Sequence, residues 1–322
     1  MQGTWLEAAA SLFLSLLLFS AVRVLWPVGM PLALFAPAPL AVLCLRRGEP
    51  VLLGAVAAGA AFQWLLGGGG SAAAFLVSAA VPALLIARGM AFRWRPELVV
   101  GGIAVLVTGA TLGAFEVAVP GGMKAWSGGF VDGIIAQYQT VKPGDPALAM
   151  LRENAAEIAR TLYLFAPITF MWTGIMLGAA SLLIVRNFFT RNPHPVVGDL
   201  PPLLEWYLPD GWVWVLIAAG VPVALGAMGI SVPLEALVVG GNVLGVLVLV
   251  YALQGWAVVA WQFAERDIHP ALQVAFYAVL LIQPVLVLLL TVLGVLDMRT
   301  DTRRVRPENM PPPAPQEPPA ES

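Results

Sequence analysis

Three amides and a tryptophan interrupt the apolar runs near the end of the chain, and they are the side chains best suited to bind a small molecule. Asn242 and Gln254 lie twelve residues apart in one run, near the same face of a helix. Trp256 shares that run, and Gln283 precedes Pro284, whose ring frees a backbone carbonyl. Amides beside aromatic rings are typical of pockets for small, largely apolar solutes such as a vitamin or nucleobase. The same amides are also suited to hydrogen bonds between helices, which is the commoner use.

Two more residues, Trp172 and Glu116, complete the set of candidate binding residues. Trp172 lies within an apolar run, and Glu116 lies one turn before Pro120. Ionisable groups deep in a bilayer usually mark proton or ion paths. In this chain they lie at the ends of the runs, with Glu116 the best exception, which argues against a proton pump or an ion-coupled carrier.

No catalytic or metal-binding motif occurs in the sequence. There is no Walker A loop, HExxH, GxSxG or Cys/His cluster. His194 and His269 each stand beside proline, and Cys44 is the only cysteine. We therefore predict neither an enzyme nor a metal or cofactor site, and we expect no nucleic-acid partner.

The apolar runs themselves predict an all-α, polytopic transmembrane bundle. Hydrophobic residues make up 59% of the chain and charged residues 11%, with a mean hydropathy of +0.85, whereas soluble domains carry about 25% charged residues. A transmembrane helix needs roughly 20 apolar residues. The runs predict eight or nine spans within residues 1–298, at about 5–26, 29–45, 51–66, 71–90, 98–119, 159–185, 211–229, 234–263 and 271–296.

Two of these spans depart from a simple helix. The second contains Pro31, Pro37 and Pro39, so we expect it to be bent, re-entrant or only partly helical. Such backbone is tolerated at membrane depth only where protein or a water-filled cavity satisfies it. The third ends in a flexible joint, Gly67–Gly70.

Small residues at four-residue spacing occur on several runs. Gly109 and Gly113 form one such pair, and Gly174 and Gly178 another. This spacing lets helices approach closely, and we expect it to serve internal packing.

The joints between runs carry most of the arginines, which sets the predicted orientation. Arg46 and Arg47, then three arginines within 88–95, then two within 186–191, then Arg266 fall in alternate joints. An excess of arginine is typical of cytoplasmic loops. The arginine-rich cluster at 303–306 breaks this alternation, and the side on which the chain ends stays open.

Two segments lie outside the predicted spans. The insert 121–160 is amphipathic, falls on the extracytoplasmic side, and has Asp145 followed by Pro146, a good N-cap and first-turn pair. We expect a helix that starts there and runs unbroken into the sixth span. The tail, 299–322, is rich in proline and predicted to be disordered.

Three motifs resemble the YybS-like family of predicted bacterial membrane proteins of unassigned function. They are Pro-Pro-x-x-Glu-Trp-x-x-Pro at Pro201–Pro209, Leu-Gln-Gly-x-Ala at Leu253–Ala257, and Gly-Val-Leu-Asp at Gly294–Asp297 before basic residues. The proline-bearing second span, the Arg46-Arg47-Gly48 joint and the Ala/Gly-rich third span are loosely similar to substrate-binding subunits of energy-coupling-factor transporters. That resemblance implies a subunit that binds a small solute and depends on a separate ATPase and scaffold.

The sequence therefore favours a small-solute-binding transport subunit in the inner membrane of a bacterium, surrounded by lipid and energised by partner proteins. The alternative is a non-transport membrane scaffold or assembly factor, which would dock partners through its tryptophan-rich loop, amphipathic insert and proline-rich tail.

Overall fold

The computed structural model describes residues 2–25, 29–142, 144–195, 207–282 and 285–304, and these residues form helices and short turns without a strand. The chain divides into two compact units, Met1–Leu200 and Pro201–Ser322. The helices of the first unit are α1 Gln2–Val24, α2 Gly29–Ala33, α3 Pro37–Arg47, α4 Glu49–Phe75, a π-helical turn at Leu76–Ala80, α5 Val81–Ala91, α6 Pro96–Ala118, α7 Gly122–Val141, α8 Pro146–Glu153 and α9 Ala155–Arg191. Those of the second are α10 Trp212–Ala227, α11 Leu234–Glu265, α12 Pro270–Ile282 and α13 Val285–Thr300.

Several of these helices are long and apolar enough to cross a bilayer, so the predicted all-helical, multi-span class is confirmed. Within the described residues six segments qualify: Thr4–Val24, Gly29–Arg47, Glu49–Ala91, Pro96–Ala118, Ala155–Arg191 and Leu234–Glu265. Helix α10 is apolar but shorter. A total of eight or nine spans stays a prediction, because residues 283 and 284, which separate α12 from α13, lie outside the described residues.

The proline-rich second run is only partly helical, as the sequence predicts. It forms α2 and α3, separated by a turn at residues 34–36. The Ser181 hydroxyl donates a hydrogen bond of 2.8 Å to the Leu34 carbonyl, and the Ser15 hydroxyl donates one of 2.8 Å to the Ala36 carbonyl. Side chains from α9 and α1 thus satisfy carbonyls released where the helix breaks, which is what irregular backbone in an apolar environment requires.

The third and fourth runs follow one another with a kink rather than a loop. Gly68 lies inside α4 with φ +71° and ψ −169°, a conformation open essentially to glycine alone. The chain then continues through the π-helical turn into α5. The predicted joint at Gly67–Gly70 is therefore a sharp change of direction within continuous helical structure.

One of the two small-residue pairs packs against a neighbouring helix. A Cβ added at Gly174 would lie 2.6 Å from the Cα of Ala104, and one added at Gly178 would lie 3.3 Å from Ile103. Helices α6 and α9 therefore approach each other closely here. The other pair, on α6 itself, faces open space, so spacing alone did not distinguish packed from unpacked glycines.

Helix α8 in the insert begins where the sequence predicts. The Asp145 carboxylate accepts a hydrogen bond of 2.9 Å from the Ala147 amide, and its other oxygen accepts one of 2.9 Å from the Tyr138 hydroxyl. This second bond raises the pKa of the Tyr138 phenol above its ordinary value, because the carboxylate stabilises the protonated form. The location of the insert outside the membrane stays a prediction.

The expected continuous helix from Pro146 into the sixth span is wrong. Helix α8 ends at Glu153, Asn154 follows with φ −95° and ψ 4°, and α9 begins at Ala155. The Asn154 side chain donates a hydrogen bond of 2.8 Å to the Met150 carbonyl. A side-chain amide that bonds to its own backbone can compete with the helical ladder, and here such a bond accompanies the break.

Candidate functional site

Helices α11 and α13 of the second unit come into backbone contact at two glycines. A Cβ at Gly255 would collide with the Leu290 carbonyl, and one at Gly294 would collide with the Tyr251 carbonyl. The Thr291 hydroxyl also donates a hydrogen bond of 2.8 Å to the Val248 carbonyl of α11. This close approach lets side chains of moderate length on either helix reach the other.

The chain reverses direction just after α13 and brings an arginine back onto that helix. Asp301 and Arg304 both adopt left-handed backbone conformations, with φ +42° and +53°. The Asp301 amide donates a hydrogen bond of 2.7 Å to the Asp297 carbonyl, and the Arg304 amide donates one of 2.9 Å to the Asp301 carbonyl. Aspartate tolerates the left-handed conformation at the end of a helix better than most residues. The reversal places the side chain of Arg303 against Asp297.

Four groups meet at this point, and we call them the polar centre: the Leu208 amide and the side chains of Gln254, Asp297 and Arg303. Arg303 donates two hydrogen bonds to Asp297 Oδ2, from Nη2 at 2.8 Å and from Nε at 3.2 Å. Gln254 donates from Nε2 to the same Oδ2 at 3.3 Å and accepts from the Leu208 amide at 3.2 Å. The polar centre thus joins the segment before α10, helix α11 and the turn after α13.

The ion pair at the polar centre is almost completely shielded from solvent. The side chains of Arg303 and Asp297 are 0% and 3% exposed, and Gln254 is 5% exposed. Burying two charges costs several kcal/mol per ion, which only close pairing and additional hydrogen bonds offset. The fully buried Tyr251 has its hydroxyl 3.7 Å from the sulfur of Met298, the residue that follows Asp297.

One oxygen of this buried carboxylate has no partner in the described part of the chain. Asp297 Oδ2 accepts three hydrogen bonds, whereas Oδ1 is buried and accepts none. Leaving a buried charged oxygen unsatisfied costs about 1–3 kcal/mol or more. Oδ1 is therefore an acceptor of this centre that the described residues leave unused.

Of the residues predicted from sequence to bind solute, Gln254 alone belongs to the polar centre. Asn242 donates to the Val238 carbonyl of its own helix at 2.9 Å, and Trp256 packs beside the cluster of Ala252 and Leu290.

The other three predicted binding residues lie elsewhere or are not described. In the first unit, Trp172 is half-buried on α9. Glu116, also in that unit, accepts a hydrogen bond of 3.2 Å from the Met123 amide, so it caps the start of α7. Gln283 lies outside the described residues.

Sequence reasoning did not assign Asp297 or Arg303 to a site. Asp297 lies at the end of an apolar run, where a carboxylate ordinarily reaches water, and Arg303 stood out only as part of a basic cluster. A spacing of six residues does not place two side chains on one face of a helix. They meet only because the backbone reverses at Asp301.

A second buried polar network lies in the first unit, at the glycine kink of α4. The Ser71 hydroxyl donates to Gln63 Oε1 at 2.8 Å and accepts from Arg23 Nη2 at 2.9 Å. Gln63 Nε2 donates weakly to the Ser20 hydroxyl at 3.4 Å. Gln63 is fully buried, and its hydrogen bonds tie α1 to both sides of the kink, which indicates a structural role.

A model of a family described as predicted membrane protein, DUF2232, matches residues 13–298. The chain belongs to this family. No match was found among curated proteins or among solved structures. The DUF2232 match covers most of both units. It confirms the resemblance to a family of predicted membrane proteins. The similarity to energy-coupling-factor subunits stays a proposal.

Within this DUF2232 protein, described residues from each of the three motifs that carried the family resemblance meet at the polar centre, while residues 201–206 of the first motif lie outside the described residues. Leu208 comes from the first motif, Gln254 from the second and Asp297 from the third, and they form one hydrogen-bonded chain. Gly255 and Gly294, from the second and third motifs, make the close helix contact beside it. Segments far apart in sequence therefore form a single structural feature.

Proposed function

We propose that this membrane protein is a small-solute-binding subunit of a transport system, and that the polar centre supplies hydrogen bonds to the solute. The observation that supports this proposal is the buried Oδ1 of Asp297, which has no partner in the described residues. A preformed, shielded acceptor is the kind of group that fixes the orientation of a ligand in an otherwise apolar site.

The charges at the polar centre restrict the class of solute. Asp297 and Arg303 neutralise each other, so a solute with a net charge would leave that charge buried without a counterion. A neutral molecule with an N–H or O–H donor suits Oδ1 without this cost. A small vitamin-like or nucleobase-like molecule has this chemistry.

Energy for transport would come from partner proteins, because the chain carries no Walker A sequence and no catalytic motif. We accordingly propose a non-enzymatic subunit of the bacterial cytoplasmic membrane that associates with an ATPase and a scaffold protein. The loose resemblance to energy-coupling-factor subunits supports this arrangement by analogy only.

Native mass spectrometry of the full chain, purified from its own membranes, tests the proposal. The wild-type protein should retain a small molecule, and Asp297→Asn or Gln254→Ala should lower its occupancy about tenfold, because a hydrogen bond to a charged group contributes about 1.5–3 kcal/mol. Asn242→Ala is the matched control. It also removes an amide from α11, but this amide donates to the Val238 carbonyl of the same helix.

Three outcomes are distinguishable. Selective loss in the two polar-centre variants, with both proteins still folded by size-exclusion chromatography, supports solute binding. Equal retention in all variants would show that the polar centre does not bind the molecule. An empty chain that co-purifies with other membrane proteins would favour the alternative, a scaffold or assembly factor.

A further inference from the structure

A groove of about 520 Å³ lies in the first unit between α1, α3 and α9. Helices α1 and α9 both pack against α3 rather than extensively against each other. Ala38 of α3 lines the groove and is small and buried, so at this position α3 leaves space between its two neighbours.

The groove is apolar along most of its length and polar at one end. Leu14 and Leu18 on α1, Val42 on α3 and Phe188 on α9 contribute apolar walls. From Ala38 to Arg46 the lining extends over eight residues of α3, or about 12 Å. Arg46 stands at the end of α3.

The polar end carries an excess of positive charge. Glu7, one turn before Ser11 of the groove, accepts from Arg47 Nε at 2.7 Å and lies 3.4 Å from Arg46 Nη2. One carboxylate thus faces two guanidinium groups, which leaves one net positive charge. By contrast, Arg88 is paired one-to-one with Glu49.

We propose that this groove binds an anionic phospholipid, with an acyl chain along the apolar walls and the phosphate beside Arg46. A membrane groove with this polarity gradient matches an amphipathic molecule, and a guanidinium binds phosphate oxygens through charge-assisted hydrogen bonds. The uncompensated positive charge selects an anionic headgroup over a zwitterionic one. This site is independent of the polar centre in the second unit.

Native mass spectrometry tests whether the charge of Arg46 selects the headgroup. The full chain is released from vesicles of equimolar phosphatidylglycerol and phosphatidylcholine. The wild-type protein should retain phosphatidylglycerol preferentially, and Arg46→Gln should lower that preference about fivefold. Glu7→Gln should raise it. Arg95→Gln, which removes an exposed arginine from another joint of the same unit, should leave it unchanged. An equal effect of the Arg46 and Arg95 variants would overturn the proposal in favour of general surface attraction.

A bulky side chain placed in the groove tests whether the groove binds an acyl chain. Leu14→Trp should reduce the retention of both lipids severalfold, because the larger ring occupies the chain's path. Leu17→Trp is the matched control, since Leu17 is exposed on the same helix but does not line the groove. Equal lipid retention in the two variants, with both proteins folded by size-exclusion chromatography, would refute chain binding in the groove.

Discussion

The buried ion pair of the polar centre makes a quantitative prediction about stability. Arg303→Gln removes both guanidinium hydrogen bonds to Asp297 and leaves the carboxylate charged, with the Gln254 amide as its remaining partner from the polar centre. Because the two side chains are 0% and 3% exposed, water does not compensate for the loss. We expect the free energy of unfolding to fall by about 3–5 kcal/mol, the range for breaking one partner of a buried pair.

Replacing both charges should have a much smaller effect. The double variant Asp297→Asn with Arg303→Gln keeps the shapes of the side chains and their capacity for hydrogen bonds, and it removes the buried charges. Neutral replacement of a buried pair is often without cost, so we expect a loss of about 1 kcal/mol or less. The double variant should therefore be more stable than either single variant.

Equilibrium unfolding of the full chain in mixed micelles, followed by tryptophan fluorescence, measures these differences. The double-mutant cycle isolates the coupling between the two side chains. The reasoning is refuted if the losses of the two single variants simply add in the double variant, because additivity would mean that Arg303 does not neutralise Asp297.

Three other contacts give further predictions, two about stability and one about a titration. Gly294→Ala should lower the free energy of unfolding by about 2 kcal/mol, because its Cβ collides with the Tyr251 carbonyl. Ser181→Ala should lower it by about 2 kcal/mol, measured by the same unfolding assay, because it removes the serine hydrogen bond to the Leu34 carbonyl. In the third, Asp145→Asn keeps the helix cap but should shift the ultraviolet titration of the Tyr138 phenol to lower pH. In the wild-type protein the raised pKa of that phenol means that the contact stabilises fully below the ordinary tyrosine pKa and is lost as the pH rises through the raised value.

The glycine and serine variants each have a control. Gly220→Ala places a Cβ in open space on α10 and should be neutral or stabilising by up to about 1 kcal/mol. Ser78→Ala removes a hydroxyl that, within the described residues, donates to the Ala74 carbonyl four residues earlier, and it should have little effect. If the glycine or serine variant matched its control, the close helix contact or the carbonyl bond would be unimportant. An unchanged phenol titration in the asparagine variant would contradict the assigned cause of the shift.

Local chemistry made several features predictable. Prolines in the second run excluded a regular helix, and the structure has a break there. Asp145 followed by proline predicted the start of α8, since an N-cap acts within one turn. The break at Asn154 was missed, because the apolar spacing continues across it and the competing side-chain bond has no periodic signature.

The candidate site was only partly predictable. Gln254 stood out as an amide in an apolar run, but its acceptor Asp297 and the returning Arg303 did not. Other amides and carboxylates have different partners: Asn242 donates to a carbonyl of its own helix, and Glu116 caps α7. Residue type showed where hydrogen bonds were needed, without showing which partner would supply them.

The sequence by itself determined that this is a helical membrane protein, because apolar composition summed over about 20 residues decides membrane insertion. Only the tertiary structure decided which polar atoms meet. Leu34 is satisfied by Ser181 across 147 residues, and Asp297 is paired through a backbone reversal that no spacing rule encodes. The physical reason is that hydrophobicity is additive along the chain, whereas a hydrogen bond or ion pair depends on two atoms placed within about 3 Å of each other by the whole fold.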